Sequence, residues 1–437
     1  MNVWRLFVTI WDYWNETPAG KANLRLLVPG KGWVTYSDRE DNEGKVIERG
    51  SKEGIDSALI NALSASNFST LTGAGASLCA RNGDGQPRAP SMRDLWTAVE
   101  EAVGVQVFSD ICARFPNANI SENIEKLLSL CKVYLELNDA ADENNQDVTA
   151  VKDFVSQAES CILAKVDFVN RSTILLAHEA YVRKIGRRGF RKTRAKLFTT
   201  NYDLTMEEAA RRLRFTVIDG FSHSLDQVYD RQHFELDIVR RDAAKDAPDY
   251  IPNVFQLYKL HGSTDWRRIG AEVLRSRDDT KGKPVLIYPR SSKYQEAFEP
   301  PYLDMMGAFQ TALREPDTAL VVAGFGFNDD HISRPIISAL ESNLSIRLVI
   351  CDPGFILSED DLRGGPPEPP AHILPVGDPH ANPFLAKITS LAARGDPRIH
   401  LINGRFEDLA EALPDLIGET DRERHVERVK VLRDVGA

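Results

Sequence analysis

Phe68-Ser69-Thr70-Leu71 leads without a break into Thr72-Gly73-Ala74-Gly75-Ala76-Ser77, a short apolar strand followed at once by a glycine-rich turn. Just upstream, Ile55, Leu59, Ile60 and Leu63 recur at helical spacing, so the local order is helix, strand, loop. Gly73-Ala74-Gly75 lacks the full GxGxxG spacing. The physical principle is the same: with side chains absent, backbone N–H groups and a helix start can approach a pyrophosphate. On that reading, Gly75→Val fills the space of a diphosphate and blocks binding without unfolding the chain. Taken alone, a plain tight turn accounts for the loop equally well.

The same grammar recurs further along. Leu197-Phe198 ends at Thr199-Thr200-Asn201-Tyr202-Asp203, and the apolar run 254–260 ends at His261-Gly262-Ser263. Residues 318–323 precede Gly324-Phe325-Gly326-Phe327-Asn328-Asp329-Asp330, residues 346–351 precede Asp352-Pro353, and residues 398–402 precede Asn403-Gly404 and a helix led by Glu407-Asp408-Leu409. Between 121 and 182 two apolar stripes at helical spacing flank the Asn-rich loop 138–147. Apolar strands alternating with helices predict an α/β fold, a Rossmann-like doubly wound parallel sheet, whose ligands bind beyond the carboxyl ends of the strands. Asn201, Asp203 and His261 then share one rim. As isolated residues they read more simply: His261 as a surface or capping histidine, Asn201 and Asp203 as an Asx turn capping a helix that begins near Thr205.

At 437 residues the chain has room for two or three domains. With 42% hydrophobic and 27% charged residues it is ordinary globular material. No apolar run approaches the roughly 20 residues that span a bilayer, and the opening MNVWRLFVTIWDYWNE lacks the layout of a signal peptide, so a cytoplasmic protein is expected. The five cysteines are odd in number and widely spaced, with no CxxC pair, which disfavours a disulfide framework and a zinc ribbon. A net charge of -10 argues against coating nucleic acid. The basic segment 183–196 (Arg183, Lys184, Arg187, Arg188, Arg191, Lys192, Arg194, Lys196) could contact nucleic acid or an acidic partner, but reads first as a solvated helix end. Residues 364–383, rich in Pro and Gly, read as a surface loop. The first fifty residues, with Trp4, Trp11, Trp14 and Trp33, read as short strands and turns forming either an oligomer interface or a small accessory core.

Taken together, LTGAGAS (71–77), FTTNYD (198–203), KLHGSTDW (259–266), IYPRSSK (287–293), GFGFNDDHI (324–332) and ING (402–404) resemble, in order, the motifs of the sirtuins, and within them the bacterial sirtuin-like NADases of antiphage defence. The resemblance covers about residues 59–413. It implies that Gly73, Ala74, Gly75 and Ser77 bind the diphosphate of NAD, that Asn201 holds a water and ribose hydroxyls, and that Asp203 holds the nicotinamide carboxamide. It further implies His261 as general base on a ribose hydroxyl or on water, which calls for a pKa near neutrality, Gly324 and Phe325 at the ribose and phosphates, Asp352 at the adenosine ribose, and Arg405-Phe406 at the adenine. Asp352 stands where the deacylases usually carry Asn.

Two departures shape the expected function. The zinc ribbon of sirtuin deacylases is missing, since no cysteine lies between Cys161 and Cys351. A helical insertion of about residues 105–190 is expected to replace the small domain. The deacylase motif after the first glycine loop is also absent, with Ala89-Pro90-Ser91-Met92-Arg93-Asp94-Leu95-Trp96 in its place. The implied activity is therefore an NAD glycohydrolase, with NAD as substrate and no zinc. A sirtuin deacylase and a non-catalytic nucleotide-binding scaffold are the alternatives. The expected division is an accessory segment 1–53, a nucleotide-binding domain 54–425 and a tail 426–437. Control by assembly implies a homo-oligomer, and by resemblance a HerA-type hexameric ATPase is a candidate partner.

Overall fold

The computed structural model describes residues 11–86, 89–118, 120, 122–138, 145–188, 192–241, 249–278, 280, 282–286, 300–356, 359–362 and 382–416. Trp4, Arg191, the IYPRSSK motif, almost all of the 364–383 loop and the tail 426–437 lie outside the described residues.

A nine-stranded sheet organises the chain. Its strands are β1 (Arg25–Val28), β2 (Gly32–Thr35), β3 (Asn67–Thr72), β4 (Lys196–Thr199), β5 (Thr216–Ile218), β6 (Val254–Lys259), β10 (Thr318–Ala323), β11 (Arg347–Cys351) and β12 (Ile399–Asn403). The numbers β7 (Gly262–Ile269), β8 (Glu272–Arg275) and β9 (Lys283–Leu286) belong to a separate antiparallel sheet in the order β8-β7-β9. The large sheet runs β2-β1-β12-β11-β10-β3-β4-β6-β5. From β12 to β5 every pairing is parallel.

The central strands are buried on both sides, which their sequences require. In β10, Ala319, Val321 and Ala323 face one core while Leu320 and Val322 face the other, and all are fully buried. The first core is covered by α1 (Lys52–Ser64), α7 (Leu176–Gly186), α8 (Thr205–Arg212) and α12 (Phe406–Ala412). The second is covered by α9 (Tyr302–Arg314), α10 (Asp330–Ser342) and α11 (Pro383–Ala393). This is the expected doubly wound α/β fold.

Two boundaries differ from the sequence reading. Residues 25–35 are not separate from the nucleotide-binding sheet but form its edge: Leu26 of β1 pairs with Ile402 of β12, and β2 pairs outside β1. Short alternating runs carry no information about which sheet they join. The helical insertion is also shifted. It comprises α3 (Met92–Val103), α4 (Val105–Ala113), α5 (Ile124–Leu137) and α6 (Gln146–Val166), with a core of their own around Val99, Phe108, Leu127 and Phe154. Helix α7 belongs instead to the main core through Tyr181, Val182 and Ile185. The four-residue helix α2 (Ala74–Ser77) follows β3.

The basic segment is not a solvated helix end. Arg188 is buried; its guanidinium donates to the carbonyls of Leu63 (3.0 Å), Ala65, Ser66 (3.4 Å) and Thr193 (3.1 Å), closing the last turn of α1. Lys184 donates to the carbonyls of Ala410 and Glu411 at the end of α12, and Arg187 pairs with Asp415 at 2.9 Å. Helix ends leave carbonyls without internal partners, and these cations supply them. Arg188→Met is expected to lower stability by about 2–4 kcal/mol, because a buried charge-assisted network is lost. Arg39→Ala, which breaks an exposed pair with Glu48, should cost under about 0.5 kcal/mol. Denaturant unfolding of the two variants checks this, and equal costs would refute it.

Candidate functional site

The carboxyl ends of β3, β4, β6, β10, β11 and β12 open onto a cavity of about 1000 Å³. Its lining includes Ala74, Gly75, Ser77, Asn201, Asp203, His261, Gly324, Phe325, Asp352 and Phe406. Gly73 lies directly behind, its carbonyl accepting from Asn201. Residues up to 333 positions apart in sequence thus meet because parallel strands deliver all their following loops to one rim.

A polar relay ties the first loop to the second. The Asn201 amide nitrogen donates to the Gly73 carbonyl at 2.9 Å and to Ser77 Oγ at 2.8 Å. Ser77 in turn donates to Asp203 Oδ2 at 2.7 Å. Both Asn201 N–H bonds are committed, so its remaining hydrogen-bonding capacity lies in the amide oxygen. Asp203 Oδ1 accepts from the Thr205 backbone (3.0 Å) and hydroxyl (2.7 Å), the Asx turn that starts α8. Asp203 therefore does the capping work as well, while Asn201 does not. Beneath them, buried Lys259 donates to the Tyr202 and Asp203 carbonyls and pairs with Glu207 at 3.0 Å.

His261 sits between β6 and β7 and is 2% exposed. Its Nε2 lies 3.0 Å from Nε2 of His331 at the start of α10. One ring must donate and the other accept, so the contact excludes two protonated imidazoles. Burial pushes His261 down to about 3, which keeps it neutral at physiological pH but places it well below the near-neutral value expected of a general base. His178, beneath the site, is lowered to about 4 by burial, with the Asp203 carboxylate pulling the other way. Asp352 is raised to about 6 by burial, opposed by the Gly354 N–H it accepts at 2.7 Å.

The glycine loops have a different reason from the one expected. A Cβ on Gly73 would lie 2.6 Å from the Gly324 carbonyl oxygen, and one on Gly75 would lie 2.8 Å from Gly324 Cα. Gly324 itself has φ +65, and its Cβ would strike the Ala76 backbone nitrogen. The Gly75 N–H donates to the Gly324 carbonyl at 2.9 Å. The glycines thus let two loops touch backbone to backbone. Gly75→Val strikes the protein before it could strike a ligand, and is expected to lower the melting temperature rather than leave it unchanged.

Residues 195–353 match the family model of the SIR2-like domain. That stretch carries Asn201, Asp203, His261, Gly324, Phe325 and Asp352, while the first glycine loop and Phe406 lie outside it. A solved structure described as "Structural Basis for the Mechanism and Regulation of Sir2 Enzymes" is similar over 87% of this chain and 99% of that chain, at 14% identity and a TM-score of 0.32. So loose a superposition adds nothing to the topology above. No curated protein matches the chain.

Beside the SIR2-like stretch, the segment 89–96 takes up a defined role: Ser91 caps α3, and Ala89, Pro90, Met92 and Leu95 line the cavity. His331 is the residue that sequence reading missed. It stood in the GFGFNDDHI run, but nothing in one dimension brings position 331 against position 261. Among the described residues no group of three or more His, Cys, Asp or Glu is gathered as a metal site, and no helix is long and apolar enough to cross a membrane.

The buried histidines make stability pH-dependent. Their folded pKa values lie below the unfolded value near 6.5, so from about pH 6.5 down to about 4 for His178 and about 3 for His261 the unfolded chain binds more protons and stability falls as pH falls. Each contributes up to about 1.4 kcal/mol per pH unit in that window. Chemical unfolding at pH 7 and pH 5 should show the loss, and His178→Phe should reduce its slope; a slope unchanged in that variant would count against the assignment.

Proposed function

We propose that the chain is an NAD glycohydrolase, cleaving NAD to nicotinamide and ADP-ribose. The observation that carries this reading is the convergence of Asn201 and neutral, buried His261 on one cavity with the glycine loops, within a stretch that matches the SIR2-like domain. The cavity is at the upper end of the usual range for small-molecule sites and combines glycine backbone, aromatic surface and a few carboxylates, which suits a dinucleotide.

In the reaction, the bond between the ribose anomeric carbon and the nicotinamide nitrogen breaks, and its electron pair leaves with nicotinamide as a neutral molecule. No general acid is needed. Water adds to the oxocarbenium-like carbon, and the resulting oxonium, unlike free water, is acidic enough to give its proton to the His261 imidazole, which burial has lowered to about 3, and thence to solvent. Asn201, fixed by Gly73 and Ser77, offers its amide oxygen to orient that water. Asp203, with its links to Ser77 and Thr205, stiffens the amide's support and is the candidate holder of the carboxamide. Gly324 and Phe325 would face the ribose and phosphates, and Asp352 the second ribose. Deacylation is the weaker reading, because the sequence lacks the paired cysteines of the zinc ribbon; a scaffold would need neither Asn201 nor His261.

The same resemblance extends the proposal to an effector that depletes cellular NAD in antiphage defence, working as a homo-oligomer with a HerA-type ATPase as candidate partner. This extension rests on motifs alone.

Purified protein incubated with NAD is expected to release nicotinamide and ADP-ribose, with a zinc chelator without effect. Asn201→Ala and His261→Ala should each lower the rate by about 10²–10⁴-fold, and Ser77→Ala by a smaller factor, because it only supports the amide. Chromatographic separation of the products reads this. Full activity in the Asn201/His261 double variant would sink the assignment.

A further inference from the structure

Residues 11–19 form a wall of the same cavity. Trp11, Trp14, Asn15, Thr17 and Ala19 line it beside Asp352, Arg405 and Glu407. A buried clamp fixes this segment. Arg405 donates to the carbonyls of Trp14 (2.6 Å), Thr17 (2.9 Å) and Pro18 (3.2 Å), and its guanidinium lies 5.1 Å from the centre of the Trp14 ring. Fully buried Asp408 accepts from Arg405, from the Gly20 N–H (2.8 Å) and from the Asn23 amide (2.8 Å). Trp14 is 1% exposed and wedged against Ile356 and Leu362, whereas Trp11 keeps 42% of its surface open while still lining the cavity.

The sheet order says which end of a ligand this wall would meet. Arg405 follows β12, and His261 follows β6. Five strand intervals separate them, β12-β11-β10-β3-β4-β6, or about 24 Å at about 4.8 Å each. One mononucleotide cannot span that distance, but an extended dinucleotide can. The far end also carries carboxylates: Asp352, Glu407 and Glu411 line the cavity there. Of the four cations that line the cavity, Lys184 is spent on the Ala410 and Glu411 carbonyls, Arg405 on Asp408 and residues 14–18, and Arg81 on the Leu78 and Ala80 carbonyls, while Arg183 stands beside Lys184. Carboxylates repel phosphate and accept from ribose hydroxyls or a base amino group. Trp11, part-open and lining the same cavity one helical turn from Trp14, offers a flat apolar face.

We propose that the amino-terminal segment is the base-binding wall of the site, with Trp11 as the surface that covers the purine of the substrate. This deepens the glycohydrolase reading and rests on it for the identity of the other end. Amino-terminal residues thereby set selectivity for a dinucleotide over nicotinamide mononucleotide, which reaches the Asn201/His261 end but lacks the purine.

The test uses the full chain, unaltered and as Trp11→Ala and Trp11→Phe, with melting curves for each. Calorimetric titration with AMP, which carries the purine end alone, reads the wall without catalysis. The expected result is at least tenfold weaker AMP binding in Trp11→Ala, with most affinity kept in Trp11→Phe. The ratio of kcat/KM for NAD to that for nicotinamide mononucleotide should fall at least tenfold in Trp11→Ala. Equal AMP affinity in unaltered and Trp11→Ala protein, or no AMP binding to a protein that hydrolyses NAD, overturns the proposal. If neither nicotinamide substrate is cleaved but AMP binding still depends on Trp11, the wall stands and the glycohydrolase reading fails.

Discussion

The contact on which the rest of the site depends is a bare backbone seam. Where β3 and β10 end side by side, the loops behind them meet through Gly73, Gly75 and Gly324 with no side chain between, and the Gly75 N–H bonds across the gap. This close approach turns α2 so that Ser77 faces Asn201 and Asp203. Asn201 then has both amide hydrogens fixed, one by the seam itself at the Gly73 carbonyl. A side chain at any of the three glycines would separate the loops and release the relay. Chemistry at this rim is thus inherited from packing: the polar groups are aligned because two parallel strands are neighbours and their loops carry nothing that could hold them apart.

Much of this was legible in one dimension, for a physical reason. Strands buried on both faces must be apolar throughout, so 318–323 and 346–351 stand out from their surroundings, and a strand end is marked by the polar residues that follow it. Each loop after such a strand points to the same rim, which is why Asn201, His261, Gly324 and Asp352 were expected to share a cavity. What escaped notice depends on partners distant in sequence. The pairing of residues 25–28 with β12 cannot be read from alternation, because a half-buried edge strand and a separate ribbon have the same pattern. The basic run was misjudged for a related reason: a cation that caps a distant helix end is indistinguishable in sequence from one that faces water, and only the positions of the α1 and α12 carbonyls decide between them. The His261–His331 contact is of the same kind.

Burial and charge divide the labour across the cavity. At one end stands a neutral imidazole held in a dry setting; at the other stand Asp352 and Glu407, both raised by burial, with the part-open Trp11 lining the same cavity. Under the proposed reaction the first end holds the proton acceptor and the second recognises the substrate without chemistry. The helical insertion contributes Met92, Leu95, Asn123 and Glu125 to a third side. Its core around Phe108 and Phe154 also takes in Tyr202 and Leu286, so that side is anchored to the rim beside Asn201.

The clamp joins residues 14–23 to Arg405 and Asp408, nearly four hundred positions away in sequence. Strand β1 needs β12 as its neighbour, and the wall bearing Trp11 and Trp14 needs Arg405. During synthesis residues 14–23 must wait for some four hundred further residues before Arg405 and Asp408 exist. A growing chain can therefore assemble the strands around Asn201 and His261 while the cavity still lacks a side, which closes only after Arg405 has been made.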